Sequence, residues 1–402
     1  NMTGRFQKSW GGFGGVRTEA SVEYDCIYGI ANGIRPTIGD HFHPRGDLNR
    51  AVMELDRSIY GRLQKLEPWI EGAEPVVEVA NVVKADYPGY WWAGGDRPQQ
   101  KERAVQALKA ATRVLCELKV QFDNAGTSSD WEKYRVLVLP DEVEVDGELA
   151  ERLQVHLDRG GAIISTGCSG LDEAGERFAL DAWGVEYEGE DTFDPAYIEF
   201  GDGLAAGMPD MPVTLYERGT VVAARPGTEV LATITAPYYN DSWDGRHGFR
   251  YTPPDATTGR PAVTVNERVA HASHPLFRTY YGSGSLPLRQ IVANLLDRFL
   301  PEPLIRAPGA PSFSRVTVTS QPGRRIVYVL AYLPEARGAG VNMIEEPLDL
   351  NDFTFSLRLD DRTPRRVYLA PEEEELDFSV EGDYVEVRIP RVRGWAAVVL
   401  EE

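Results

Sequence analysis

The sequence is poor in cysteine, with only Cys26, Cys116 and Cys168 among its 402 residues. Three widely separated thiols exclude a disulfide framework and a cysteine-ligated zinc site. Long hydrophobic runs are also missing, since no stretch approaches 18 uninterrupted apolar residues, and the first residues lack a basic segment followed by an apolar one. We therefore expect a soluble, cytoplasmic protein that makes no contact with a membrane.

Basic residues are in the minority, with 42 Lys and Arg against 62 Asp and Glu and a net charge of −20. Nucleic acids and acidic membranes attract a positive surface field, so this balance excludes a broad nucleic-acid footprint. Hydrophobic residues make up 42% of the chain and charged residues 26%, which is typical of a globular protein. The length predicts two or three domains.

The residue pattern predicts an α/β multidomain chain made of three blocks. The first block, residues 1–70, has a Gly-rich start, a helix at 19–31, a strand at 35–38 and a second helix that Asp47 caps. This order is a β/α repeat. Two such units cannot close a sheet or bury both of its faces, so we expect this block to need more protein.

The second block, residues 71–302, alternates apolar runs with helical patterns, which predicts a doubly wound parallel sheet. Its predicted strands are 76–83, 134–139 and 162–165, and its predicted helices are 101–119, 147–158 and 288–299. The third block, residues 303–402, follows the linker-like Pro301-Glu302-Pro303. Its short strands, several of which alternate apolar and polar residues, predict a small antiparallel β-sandwich.

Asp40, His41 and His43 form the first candidate cluster, directly after the predicted strand of the first block. Active-site groups of β/α barrels lie at this position, which favours a pocket for a sugar or another small molecule. The His-x-His spacing also suits a metal ion, but no third ligand of similar quality stands nearby in the sequence. The remaining alternative is that these residues merely end a strand.

Arg5, Lys8 and Trp10 form the second candidate cluster, in the Gly-rich start of the chain. A Trp ring stacks on the face of a sugar, while Arg and Lys donate hydrogen bonds to hydroxyl or carboxylate oxygens. A solvated loop with one packed Trp explains the same residues equally well.

Cys168 follows a predicted strand in Gly167-Cys168-Ser169-Gly170, like the nucleophile elbow of an amidotransferase. The expected His-x-Glu is missing, because neither His271 nor His274 precedes such an acid, and a buried small residue in a tight turn is the favoured interpretation. Most glycoside hydrolysis needs two carboxylates. Asp40 is the single well-placed acid near the candidate loops, so the catalytic residues stay unassigned.

Several motifs resemble a group of glycoside hydrolases that is called α-L-fucosidase-like. The motifs are MTGRFQKSWGGFGG at 2–15, IYGIANG at 27–33, IGDHFHPRG at 38–46, VLPD at 138–141, STGCSGLD at 165–172, PYYN at 237–240 and YLAP at 368–371. The resemblance covers essentially the whole chain. More distantly, the order of parts is similar to that of family 42 β-galactosidases, which consist of a barrel, an amidotransferase-like trimerisation domain and a small β domain.

The resemblance implies that residues 1–70 are the C-terminal part of an incomplete TIM barrel. It further implies that residues 71–302 are a flavodoxin-type, amidotransferase-like trimerisation domain and that residues 303–402 are a C-terminal β-sandwich. Family 42 enzymes place a nucleophilic Glu after Met on the seventh strand, where this sequence reads Met2-Thr3-Gly4. We therefore expect either that the nucleophile lies outside this chain or that the chemistry differs.

The resemblance also implies a carbohydrate substrate, no cofactor or metal, a homotrimer, and a missing barrel segment that comes from upstream or from another chain. In the first hypothesis the chain is the C-terminal portion of a glycoside hydrolase and supplies the active-site rim and the oligomerisation domain. The alternative is a non-catalytic assembly or glycan-binding module. A hydrolase that uses Cys168 is the least favoured hypothesis. The expected substrate-contacting residues are Arg5, Lys8, Trp10, Asp40, His41 and His43.

Overall fold

The computed structural model describes residues 1–84, 98–243, 245–246, 248–249, 252–360 and 362–402. The chain divides into two compact units. The first unit comprises Asn1–Val76, Cys116–Gln121 and Pro303–Glu402, and the second comprises Val77–Leu115 and Phe122–Glu302. Large sheets flanked by helices confirm the predicted α/β multidomain class. No helix among the described residues is long and apolar enough to cross a membrane.

The first unit begins with the predicted β/α repeat. Its elements are β1 (Met2–Gly4), α1 (Glu19–Ile30), β2 (Thr37–Gly39), α2 (Arg50–Leu63), a 3-10 turn (Gln64–Leu66), α3 (Glu67–Ile70) and β3 (Glu74–Pro75). Strands β1 and β2 pair in parallel, with Gly4 opposite Gly39, so their carboxyl ends lie side by side. The start of α2 differs from the prediction, because Asn49 rather than Asp47 accepts the hydrogen bond from the Ala51 N–H.

The second unit contains thirteen strands among the described residues. They are β4 (Val79–Val83), β5 (Phe122–Gly126), β6 (Val136–Leu139), β7 (Ala162–Thr166), β8 (Val185–Glu190), β9 (Ala196–Phe200), β10 (Val213–Leu215), β11 (Thr220–Ala224), β12 (Glu229–Pro237), β13 (Ser242–Trp243), β14 (Gly248–Phe249), β15 (Pro254–Asn266) and β16 (Val269–Ala272). The helices that accompany them are α4 (Pro98–Glu117), whose last two residues belong to the first unit, α5 (Gly147–Asp158), α6 (Leu276–Ser283) and α7 (Leu286–Phe299), with 3-10 turns at Asp181–Trp183 and Asp202–Leu204.

Nine of these strands form one sheet in the order β10-β9-β12-β15-β16-β7-β6-β4-β5. The last five strands of that order pair in parallel, as the alternating pattern predicted, and β10, β9, β12 and β15 extend the sheet with antiparallel pairs. All four residues of β6 are buried, as expected for a central parallel strand.

The remainder of the first unit is built of strands. They are β17 (Ile305–Arg306), β18 (Arg315–Gln321), β19 (Arg324–Leu330), β20 (Glu335–Gly338), β21 (Val341–Met343), β22 (Asp349–Arg358), β23 (Arg366–Ala370), β24 (Glu374–Glu375), β25 (Phe378–Glu381), β26 (Tyr384–Arg393) and β27 (Trp395–Glu401). Seven strands in the order β17-β22-β26-β27-β19-β18-β3, together with β23, β24 and β25 at the side, form a ten-stranded sheet.

Strand β19 explains why this sheet joins the β/α repeat in one compact unit. Val327 and Val329 belong to a core within the sheet strands, whereas Tyr328 and Leu330 belong to a second core that includes Ile27 of α1 and residues of α2. Each fully buried apolar side chain contributes roughly 1.5–3 kcal/mol. The division into domains at 1–70, 71–302 and 303–402 remains a prediction.

Candidate functional site

The carboxyl ends of β1 and β2 are covered by the indole ring of Trp10. A methyl group at Gly4 would lie 2.7 Å from Trp10 Cζ3, and one at Gly39 would overlap the ring. Glycine at both positions therefore lets the edge of the six-membered ring come close to the two strand ends. Half of the Trp10 side chain (51%) stays exposed to solvent.

Arg5 and Asp40 form a buried ion pair where the two strands end. Arg5 Nε donates to Asp40 Oδ1 at 2.9 Å, and the two side chains are 2% and 10% exposed. Arg5 Nη1 donates to the carbonyl oxygens of Phe13 (2.8 Å) and Gly15 (2.9 Å). The guanidinium thus fastens the Gly-rich loop that carries Trp10 to the end of β2.

Asp40 also orients the residue that follows it. Its Oδ1 accepts a hydrogen bond from the His41 N–H at 2.7 Å, in addition to the bond from Arg5. Asp40 Oδ2 and His41 Nε2 are both buried and have no hydrogen-bond partner among the described residues. Buried polar atoms in proteins nearly always have partners, so these two atoms mark places where a water molecule or ligand atom is expected.

The rings of His41 and His43 lie beside Trp10 and Phe13. Ring centroids are 5.4 Å apart for Trp10 and His41, and 6.2 Å apart for Phe13 and each histidine. His43 Nδ1 accepts the Arg45 N–H at 3.2 Å, so the neutral ring carries its proton on Nε2. Both histidines follow β2 in irregular backbone, so they do not share the face of a strand.

The structure thus brings five of the six predicted residues together. The sixth, Lys8, is exposed in the same loop, and it forms no ion pair or hydrogen bond within the part of the chain that the structure describes. Among those residues there is also no group of three or more His, Cys, Asp or Glu side chains that would hold a metal ion.

Asp56 on α2 is an acid of this region that the sequence analysis missed. Its Oδ1 is buried without a hydrogen-bond partner among the described residues. Burial raises the pKa of Asp56, the negative charge of Asp40 raises it further, and Arg5 lowers it. The sequence feature that could have revealed Asp56 is its position as an acid within the apolar stripe of α2, between Val52 and Ile59.

Cys168 follows β7, as predicted, but its thiol is not activated. Burial, and next the charge of Glu142, raise the pKa of Cys168 to about 11, so the protonated and unreactive thiol dominates near neutral pH. Burial also lowers the pKa of His271 to about 3 and that of His274 to about 4. Their Nδ1 atoms lie 3.0 Å from the hydroxyls of Ser165 and Ser273 respectively. These contacts favour a structural role over nucleophilic catalysis.

Two sequence comparisons point to β-galactosidases. The model of the β-galactosidase trimerisation domain matches residues 89–189. The β-galactosidase Pbg of Clostridium perfringens is 25% identical over 179 residues, which cover 40% of this chain and 25% of that protein. The chain therefore spans only a part of this relative.

Solved structures share the fold over the full length of this chain. The α-L-fucosidase isoenzyme 2 from Paenibacillus thiaminolyticus matches with a TM-score of 0.89 and 29% identity, over 100% of this chain and 60% of its own. The β-galactosidase from Bacillus circulans sp. alkalophilus matches with a TM-score of 0.64 and 15% identity, over 99% of this chain and 55% of its own. The predicted resemblance is confirmed, and these similarities support a glycoside hydrolase-like protein.

Proposed function

We propose that this chain is carbohydrate-active and forms the C-terminal portion of a fucosidase- or galactosidase-like glycoside hydrolase. In this proposal the β/α repeat at the start of the chain belongs to a TIM barrel, whose other units come from an upstream segment or another chain. The ends of β1 and β2 then supply part of the active-site rim. The named relatives are an α-L-fucosidase and two β-galactosidases, which supports a sugar as the ligand.

The observation that carries the proposal is the supported, half-exposed ring of Trp10. The edge of its six-membered ring lies against Gly4 and Gly39, and the buried Arg5–Asp40 pair holds the loop that carries it. A rigid aromatic face beside hydrogen-bonding groups matches the amphipathic surface of a pyranose, which has apolar C–H faces and polar edges.

Each candidate residue has a distinct role in this proposal. Trp10 stacks on the sugar ring, and the imidazoles of His41 and His43 hydrogen-bond its hydroxyls. Arg5 is engaged with Asp40 and two carbonyl oxygens, so its contribution is to hold Asp40 and the loop in place. Lys8 reaches the ligand from the exposed side of the loop.

The described residues are assigned to sugar binding rather than to bond cleavage. Hydrolysis takes two carboxylates that flank the glycosidic bond, and Asp40 is the one acid among the candidates. A nucleophile and an acid/base on other strands of the barrel complete the reaction in this proposal. The matched trimerisation domain supports a homo-oligomer, and we propose a closed trimer.

The test is calorimetric binding of L-fucose and D-galactose to the purified 402-residue protein. We expect saturable binding of at least one sugar, and a loss of affinity of tenfold or more in Trp10→Ala. Trp243→Ala is the matched control, because Trp243 is also exposed (59%) but lies in the second unit. Binding that is equally weakened by both substitutions, or no binding of either sugar, would overturn the assignment of the site.

A further inference from the structure

The loop that carries Trp10 runs from Arg5 to Arg17, and its two ends are joined. The Arg17 N–H donates a hydrogen bond to the Arg5 carbonyl oxygen at 2.8 Å, just after β1 ends. Inside the loop, the Gly15 N–H donates to the Gly12 carbonyl oxygen at 2.9 Å. In a compact loop whose ends lie this close together, the groups that fix the ends also limit where Trp10 can lie.

The guanidinium of Arg17 joins β1 to α1. Its Nη1 donates to the hydroxyl of Thr3 at 2.8 Å and to the carbonyl oxygen of Gly4 at 3.1 Å, both on β1. Its Nε donates to the Ser21 hydroxyl of α1 at 3.1 Å, and its Nη2 donates to the carbonyl oxygen and the hydroxyl of Ser21 at 2.7 and 2.8 Å. The planar fork of a guanidinium can bind two elements at once in fixed directions.

Asp25 of α1 completes this cluster. Its Oδ2 lies 2.8 Å from Arg17 Nη1 and accepts a hydrogen bond from the Thr3 hydroxyl at 2.6 Å. The Thr3 hydroxyl therefore accepts from the arginine and donates to the aspartate, as a hydroxyl can. The side chains of Arg17 and Asp25 are 19% and 32% exposed, so the pair is partly shielded from solvent. We call Thr3, Arg17, Ser21 and Asp25 the β1 clamp.

The β1 clamp ends at the glycine against which the Trp10 ring lies. The carbonyl oxygen of Gly4 accepts from Arg17, and a methyl group on the α-carbon of Gly4 would lie 2.7 Å from Trp10 Cζ3. The next residue, Arg5, holds Asp40 and the later part of the loop. The two arginines thus attach the Trp10 loop to different elements, Arg17 to β1 and α1, and Arg5 to the end of β2.

We propose that Arg17 is a positioning residue of the sugar site, which sets the place of the Trp10 ring without touching the ligand. It holds Gly4 against the edge of the ring and keeps the last residue of the loop beside the first. An aromatic surface that is held in place before the ligand arrives loses less conformational freedom on binding. The effect on sugar affinity rests on the proposed function, whereas the effect on the position of Trp10 does not.

The first measurement needs no ligand and uses fluorine NMR of the full chain labelled with 5-fluorotryptophan. In Arg17→Met the bonds to β1 and α1 are lost, so we expect the Trp10 signal, which is identified by its loss in Trp10→Phe, to move by more than its line width. Arg62→Met is the matched control. Arg62 is also bound to α1, but its hydrogen bonds go to Glu19, Glu23 and a serine of α2 rather than to β1, so the Trp10 signal should stay in place.

The second measurement is calorimetric binding of L-fucose and D-galactose. We expect Arg17→Met to lose about fivefold or more in affinity for the sugar that the wild type binds, and Arg62→Met to lose less than about twofold, because only the first releases the loop. If Arg17→Met does not fold, Thr3→Val replaces it in both measurements. This change keeps the branched shape of the side chain but removes the hydroxyl between Arg17 and Asp25, and we expect a loss of about threefold.

The outcomes separate the failure of this inference from the failure of the proposed function. If no sugar binds, but the Trp10 signal moves in Arg17→Met and stays in place in Arg62→Met, the proposed function falls and the positioning role of Arg17 stands. If sugars bind, but the Trp10 signal and the affinity respond alike to Arg17→Met and Arg62→Met, the positioning role of Arg17 is wrong. The same holds if Thr3→Val, used in place of Arg17→Met, leaves both the signal and the affinity unchanged.

Discussion

Replacing Arg5 by Met should destabilise the protein more than any exposed ion-pair substitution in the first unit. Met keeps the apolar stem of the side chain but removes the charge and the three hydrogen bonds to Asp40, Phe13 and Gly15. The Asp40 carboxylate is then left nine-tenths buried without its cation. Removing one partner of a buried ion pair costs about 3–5 kcal/mol, and that is the loss we expect in the free energy of unfolding.

Urea unfolding at pH 7, followed by tryptophan fluorescence, measures this loss. Asp40→Asn should lower the free energy of unfolding by less than Arg5→Met does. Because the two residues are coupled, the loss in the double variant should be smaller than the sum of the two single losses by at least about 1.5 kcal/mol. Arg45→Met is the control, since Arg45 and Asp47 are 73% and 58% exposed and such pairs are worth about 0–1 kcal/mol. A loss below about 1 kcal/mol for Arg5→Met, or additive losses, would refute the reasoning.

Two further perturbations test other parts of the account. Gly39→Ala places a methyl group against the Trp10 ring, so the ring must leave the strand ends, and calorimetry should show sugar affinity falling by tenfold or more with little change in the melting temperature. Acidification from pH 7 to pH 5 should lower the urea unfolding midpoint. In the folded protein the pKa values of His271 (about 3) and His274 (about 4) lie below the pKa of histidine in the unfolded chain. The unfolded chain therefore takes up protons first, and acid stabilises it relative to the folded protein. Burial raises the pKa of Asp141 to about 6, which opposes part of this loss, and a midpoint that rises with acidification would contradict the assignment of both histidines as neutral.

Local periodicity was sufficient to predict most helices. An apolar stripe depends only on residues three and four apart, so it can be recognised in the local sequence. The prediction for α5 matches its bounds, Gly147–Asp158, and the prediction for α7 begins two residues late. The third block was predicted to consist of short strands, but the apolar residues of β19 are consecutive and do not reveal that each face enters a different core. That arrangement depends on α1 and α2, which lie far away in the sequence.

The candidate site was predicted in its composition but not in its contacts. Trp10, His41 and His43 were identified from the chemistry of loops that follow strands. The pairing of Arg5 with Asp40 joins residues 35 positions apart and depends on the parallel register of β1 and β2, so no local pattern indicates it. The predicted contact of Arg5 with substrate stays a prediction, and the structure adds that its guanidinium holds Asp40 and the loop.

The central claim, that Trp10 forms the sugar-binding face, is tested most directly by fluorine NMR of the protein labelled with 5-fluorotryptophan. The Trp10 resonance is assigned from the spectrum of Trp10→Phe, and the labelled protein is titrated with L-fucose and with D-galactose. The account predicts that the Trp10 signal moves saturably with at least one sugar while the Trp243 signal stays in place. A Trp10 signal that does not move up to tens of millimolar of either sugar would contradict it.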